Sequence, residues 1–198
     1  MKTSLFYSAL LVVLFQASHA DAEPPNPASS ETRLMLETDP ATFVLDGFAV
    51  HSRLEHPRAR GWSLGLGLYS LEYPSLLVEL DPENRDEGWR ARMRIGYGAF
   101  LDRHFGTRRS SPFVGVQLAV QRFELARDKT TAPKDLAVGL AMARLGYRWF
   151  PTDAEFYVMP WAGAGVSVAL SEPVEIDNET YNVRPLTLFA TAHVGWRF

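Results

Sequence analysis

The chain has 198 residues, 46% of them hydrophobic, no cysteine and a formal charge of −3. That length fits one domain, and the lack of cysteine excludes a disulfide framework, a thiolate metal site and a lipid-bearing N-terminal cysteine. The acidic balance argues against a nucleic-acid binder.

Met1 to Ala20 reads as a secretory signal peptide: Lys2 is the basic start, Leu5 to Phe15 the apolar core, and Ser18-His19-Ala20 a small-X-small cleavage site. Removing Lys2 from the 20 basic residues leaves 19 against 23 acids, or −4. Residues 21–30 are rich in Pro, Ala and Ser and predict a disordered lead-in. The folded domain is residues 31–198. Its hydrophobic residues form no run of 18, so no helix long enough to span a bilayer is expected.

Arg33 to Glu37 offers Leu34 and Leu36 on one side and makes a short first strand. Asp39-Pro40 caps a helical turn or turns the chain into the next segment. Phe43 to Ser52 is strand-like without a decided facing, and Arg53 to Arg60 is a charged turn. In Gly61 to Leu71, Trp62, Leu64, Leu66 and Leu68 alternate with small residues, which suits a narrow, filled interior. Glu72 to Gly88 is an acidic loop; its Asp81, Glu83, Asp86 and Glu87 lack EF-hand spacing.

Trp89 to Leu101 alternates strongly. Trp89, Ala91, Met93, Ile95, Tyr97, Ala99 and Leu101 share one face, and Arg90, Arg92 and Arg94 lie on the other. If the first face meets lipid, the three arginines form a lumenal charge network with acids such as Asp46 or Asp102 and with Gln117 and Gln121. A phosphate or carboxylate site is the other use of such a row. Pro112 to Leu125 is a further strand. Asp135 to Phe150 turns Leu136, Val138, Leu140 and Met142 outward, but Tyr147 and Trp149 sit on the opposite parity, so a β-bulge is expected. Aromatics flank the Pro151–Ala154 turn, and Pro160 in the next strand marks a bulge or an edge. Ser171 to Val183 is an acidic loop.

In the last stretch Leu186, Leu188, Ala190, Ala192, Val194, Trp196 and Phe198 alternate with Thr187, Phe189, Thr191, His193, Gly195 and Arg197. This strand, closed by Phe198 with Trp196 two residues before it, resembles the terminal strand of bacterial outer-membrane β-barrels. The resemblance implies an all-β, closed, antiparallel transmembrane barrel of eight strands with a filled lumen. It further implies a Trp62, Trp149, Phe156, Trp196 and Phe198 membrane girdle, and a structural or surface-interaction role without catalysis, cofactor or metal. The implied partners are outer-membrane lipid, lipopolysaccharide and the assembly machinery that reads Phe198. With Phe198 periplasmic, the loops at 72–88, 126–134 and 171–183 fall outside the cell. Two other readings stand beside this one. One is a lipid-modifying enzyme of the acyl-transfer or deacylation type, with His51, Ser52 and His193 as its candidate catalytic residues. The other is a barrel that binds or passes a small amphiphile through a lateral gap beside Pro160.

Overall fold

A computed structural model of the chain describes residues 32–106, 109–127 and 132–198. The signal peptide and lead-in lie outside the described residues. Eight antiparallel strands close on themselves: β1 (Arg33–Thr38), β2 (Phe48–Glu55), β3 (Trp62–Glu72), β4 (Trp89–His104), β5 (Ser111–Arg127), β6 (Lys134–Arg148), β7 (Phe156–Ala169) and, after a small hairpin of β8 (Glu175–Ile176) and β9 (Glu179–Thr180), β10 (Leu186–Arg197). Neighbours in sequence pair in order, and β1 closes the ring against β10. The short first strand expected at Arg33–Glu37 is present and forms the closure. The expected eight-stranded barrel is the fold.

The alternation has its physical cause in two different surroundings. On β5, Val114, Val116, Leu118 and Val120 point out, while Phe113, Gln117, Ala119, Gln121 and Phe123 are buried in the lumen. From Pro112 to Val120 the outer face is apolar. At ~3.4 Å per residue and a tilt of about 40°, that stretch covers roughly 20 Å of height, close to the apolar band of a transmembrane barrel. Trp62, Trp149, Phe156, Trp196 and Phe198 all stand exposed at the end of the barrel that carries the short turns and both strand termini. The amide of Phe198 donates to Leu34 O (2.8 Å), which pins the C-terminus to β1.

Three expectations are corrected. First, Arg90, Arg92 and Arg94 do not line the lumen. The β4–β5 ladder slips between Met93 and Ile95, so β4 changes parity there. Trp89, Ala91 and Met93 turn inward above the bulge; Tyr97 and Leu101 turn outward below it. The arginines project from the outer wall and pair with Glu72 (Arg90, 3.2 Å), Asp46 (Arg92, 2.9 Å) and Glu124 (Arg94, 2.8 Å). One strand thus serves hydrocarbon in its lower part and water in its upper part. A second slip between Tyr69 and Leu71 of β3 faces it, and the Ser70 hydroxyl donates to Met93 O (2.9 Å) to stitch the two.

Second, Leu136, Val138, Leu140 and Met142 of β6 are buried inside the barrel, while Leu145 and Tyr147 face out. The β6 ladder runs without a slip, so no bulge is needed. Third, Phe43 is not in a strand. Pro40–Val44 is a short helix whose N-cap Asp39 accepts from the Ala41 amide (3.0 Å). Pro160 leaves no gap, because the β7–β10 register runs unbroken through its pairing with Ala192.

A charge placed in the outer apolar band should therefore cost far more than the loss of one above it. Leu118→Arg is expected to destabilise the barrel by about 2–4 kcal/mol, whereas Arg94→Leu, which removes one exposed pair, should cost less than about 1 kcal/mol. Urea unfolding in phospholipid vesicles measures both.

Candidate binding site in the barrel lumen

The lumen has a polar lower part and an apolar upper part. At the turn end, Arg148 pairs with Glu55, and His104 Nδ1 meets Ser111 Oγ at 3.1 Å. One layer up lies the centre of the network. Arg53 Nε contacts Glu37 Oε1 at 2.6 Å, and its Nη1 pairs with Asp102. Arg144 Nε reaches the other oxygen of Asp102 at 3.2 Å, and its guanidinium lies 4.4 Å from the Trp161 ring centre and 4.9 Å from that of Phe100. The Tyr157 hydroxyl donates to Glu37 Oε1 (2.7 Å). Arg53, Glu37, Asp102 and Arg144 are almost wholly buried. Such charges persist away from water only when each finds an opposite charge and hydrogen bonds, and here two carboxylates alternate with two guanidiniums. Gly115 makes room: a Cβ there would stand 1.9 Å from Asp102 Oδ1.

The next layer brings the sequence candidates His51 and His193 together. Their rings stack at 4.4 Å. The Trp161 indole N–H donates to His193 Nε2 (3.1 Å), which leaves His193 Nδ1 to donate to Glu37 Oε2 (2.9 Å). Ser52 points to the other side of the wall, as its pairing parity between Leu36 and Leu66 requires. His193 thus has both ring nitrogens engaged, and among the described residues no serine hydrogen-bonds either histidine as a nucleophile would. Glu37, His51 and His193 converge with ligand atoms within 4.8 Å of one another. Arg53 and Tyr157 already hold the same Glu37 carboxylate, and His51 joins the group by stacking on His193.

Above this floor the lumen opens into a cavity of about 210 Å³ whose walls include Leu71, Met93, Phe123, Leu136, Leu140 and Met142. Two polar residues at its base, His51 and Gln117, carry buried atoms without a hydrogen-bond partner among the described residues: His51 Nδ1 and Gln117 Oε1. The loops close over the top. Tyr73 meets Phe123 edge-on at 5.2 Å and Tyr181 meets Trp89 at 5.4 Å. Asn84 and Asn182 exchange two hydrogen bonds of 2.8 and 2.9 Å, and Asn182 Nδ2 donates to Asp81 Oδ2 (3.0 Å). Burial pushes the Tyr181 hydroxyl up to about 12, so it stays a neutral member of this roof. Asp81 is thereby part of a loop lock, with its oxygens on the Glu83 amide and Asn182.

The chain matches no known family profile and no curated protein sequence. Among solved structures it is similar to the N-terminal β-barrel domain of Pseudomonas aeruginosa OprF, with a TM-score of 0.50 at 12% identity over 86% of this chain and 98% of that one. Neisserial surface protein A (NspA) is also similar, with a TM-score of 0.47 at 11% identity over 84% of this chain and 92% of that one. This chain has the fold of the eight-stranded outer-membrane β-barrels. At such identities the likeness extends to the fold alone; the lumen described above is this chain's own.

The sequence did not single out Arg53, Glu37 or Arg144. Arg53 sat in an expected turn, and Arg144 within a strand whose Leu136–Met142 face was expected to look outward. The usable signal was the continuation of the His51 parity to Arg53, and of the Leu136–Met142 parity to Arg144 and Arg148.

Replacing Arg53 with Met strands Glu37 and Asp102 as neighbouring buried carboxylates. The expected loss is about 3–5 kcal/mol, read as a lower urea midpoint together with loss of heat-modifiable gel migration.

Proposed function

We propose that the chain is a non-enzymatic integral protein of the bacterial outer membrane that takes a small amphiphile into the upper lumen. The observation that carries this reading is the cavity itself. It is somewhat larger than the ~150 Å³ apolar site that holds benzene in an engineered protein. It therefore takes a short alkyl chain or the ring end of a small aromatic amphiphile, and it is too small for a whole membrane lipid. Its wall supplies hydrocarbon contact, and His51 Nδ1 and Gln117 Oε1 supply one place for a hydroxyl or carboxyl group. Apolar lining with a few convergent polar groups is the usual make-up of a small-molecule site.

In this reading residues 1–20 direct export, and the turn end faces the periplasm with Phe198 offered to the assembly machinery. The outer apolar band contacts lipid. The paired Arg90, Arg92 and Arg94 row stands at the level of the lipopolysaccharide head groups. The upper cavity then lies towards the cell exterior. A lipid-modifying activity is not favoured, because Ser52 and His193 lie on opposite sides of the wall and His193 is fully hydrogen-bonded.

Leu140→Trp fills the cavity. It should weaken binding of the fluorescent probe N-phenyl-1-naphthylamine by at least tenfold, while the variant still migrates as a folded barrel. Equal probe binding by wild type and variant would refute the site. Lipid A mass spectra from cells with and without the protein should be identical.

A further inference from the structure

The floor of the cavity is closed by the charge network and its roof by the packed loops, which leaves the question of how a ligand gets in. The barrel is not evenly closed around its circumference. β1 pairs with β10 only from Met35↔Arg197 to Thr38↔Val194. Above that point the chain leaves the sheet as the Pro40–Val44 helix, and β2 starts again at Phe48. The edge of β10 from Leu186 to Ala192 therefore has no strand partner on that side. Among the described residues no backbone hydrogen bond crosses from it to residues 39–50. On its other side the same stretch pairs fully with β7.

This seam lies at membrane depth. Leu186, Leu188 and Ala190 are exposed on the outer face of β10, as are Ala164 and Val166 on the neighbouring strand. Phe43 and Val44 of the helix are exposed beside them, at 59% and 86%. An open sheet edge facing hydrocarbon is not otherwise tolerated, because its amides have nothing to bond to. The cavity also reaches the seam. Asp39, Thr42 and Leu45 on one side of it, and Leu186, Leu188 and Phe189 on the other, all line the cavity. Leu186 and Leu188 belong to the outer face of the wall, so the cavity continues around the free edge of β10 to the outside. The side chains tying the seam together are Asp39 and Thr191: Thr191 Oγ1 donates to the Asp39 carboxylate, with its oxygens at 2.8 and 2.9 Å.

We propose that the ligand enters sideways from the outer leaflet, through the seam between β10 and the Pro40–Val44 helix, with the Asp39–Thr191 hydrogen bond as its latch. This rests on the binding reading above. The seam offers a passing amphiphile both things it needs: an apolar side at Leu186, Leu188 and Leu45, and a polar track from the free β10 edge past Thr191 and Asp39 towards His51. A ligand on this route stays in contact with hydrocarbon and never crosses the loop roof or the charged floor.

The chain has no cysteine, so a staple can be added cleanly. The double variant Asp39→Cys/Thr191→Cys, folded into phosphatidylcholine vesicles that hold N-phenyl-1-naphthylamine in their bilayer, is compared oxidised and reduced by stopped-flow fluorescence. Oxidation should slow probe uptake at least tenfold, and reductant should restore it. Equal rates in the two states, with the probe still binding, would overturn the lateral route and leave the cavity assignment standing. If wild type and Leu140→Trp give the same signal, the cavity assignment fails, and the route with it. Thr191→Val, which keeps the shape and the Asp39 helix cap, serves if the staple does not fold. It should speed uptake severalfold, and an unchanged rate would overturn the latch.

Discussion

The structure depends on one constraint. Every backbone amide at membrane depth must find a partner within the protein, because hydrocarbon offers none. The closed ring of eight ladders meets it along nearly the whole wall. Where the ring relaxes it, beside upper β10, the structure is most distinctive. A helix replaces a strand, two side chains hold the join, and the inner cavity comes to the surface. The exception arises because β1 spans only six residues and its partner twelve.

A second consequence follows inside the barrel. An eight-stranded wall encloses a space that side chains can fill, and this chain fills its two halves by different chemistry. In the lower half, Arg53 and Arg144 alternate with Glu37 and Asp102, Tyr157 and His193 hydrogen-bond Glu37, and the Arg144 guanidinium lies over the Trp161 ring. Charge there is tolerable only because it is mutually neutralised, and the paired side chains fill the lower lumen. In the upper half β6 presents Leu136 to Met142 inward, and the filling is apolar and incomplete. The cavity thus sits on a polar floor whose outermost members, His51 and Gln117, carry the unpartnered atoms His51 Nδ1 and Gln117 Oε1.

The outer wall follows the same two-solvent rule along its height. Strands β4 to β7 are longer than a membrane requires. The upper ends of β4 and β5 carry Arg90, Arg92, Arg94 and Glu124 outward, where water can solvate them. The parity slip in β4 makes this possible without exposing Trp89 and Met93.

Much of this was legible in the sequence. Strict alternation in Gly61–Leu71, Pro112–Leu125 and Leu186–Phe198 determined the strands, their outer faces and the barrel class. Period-two patterning is a local property of the backbone and needs no partner to be read. Asp39-Pro40 likewise announced a possible cap. What the sequence could not supply was the sign of that pattern on β4 and β6. A row of arginines tolerates either the lumen or the water above the membrane. A row of leucines tolerates either lipid or an apolar cavity. Only the register with neighbouring strands, through the slip at Arg94 and the unbroken β6 ladder, decided between them. The meeting of Glu37, Arg53, Asp102, Arg144 and His193 was likewise invisible, because they come from five strands spread over the length of the chain. Closing the ring brings them together, and the same closure, ending early at Thr38, leaves the seam.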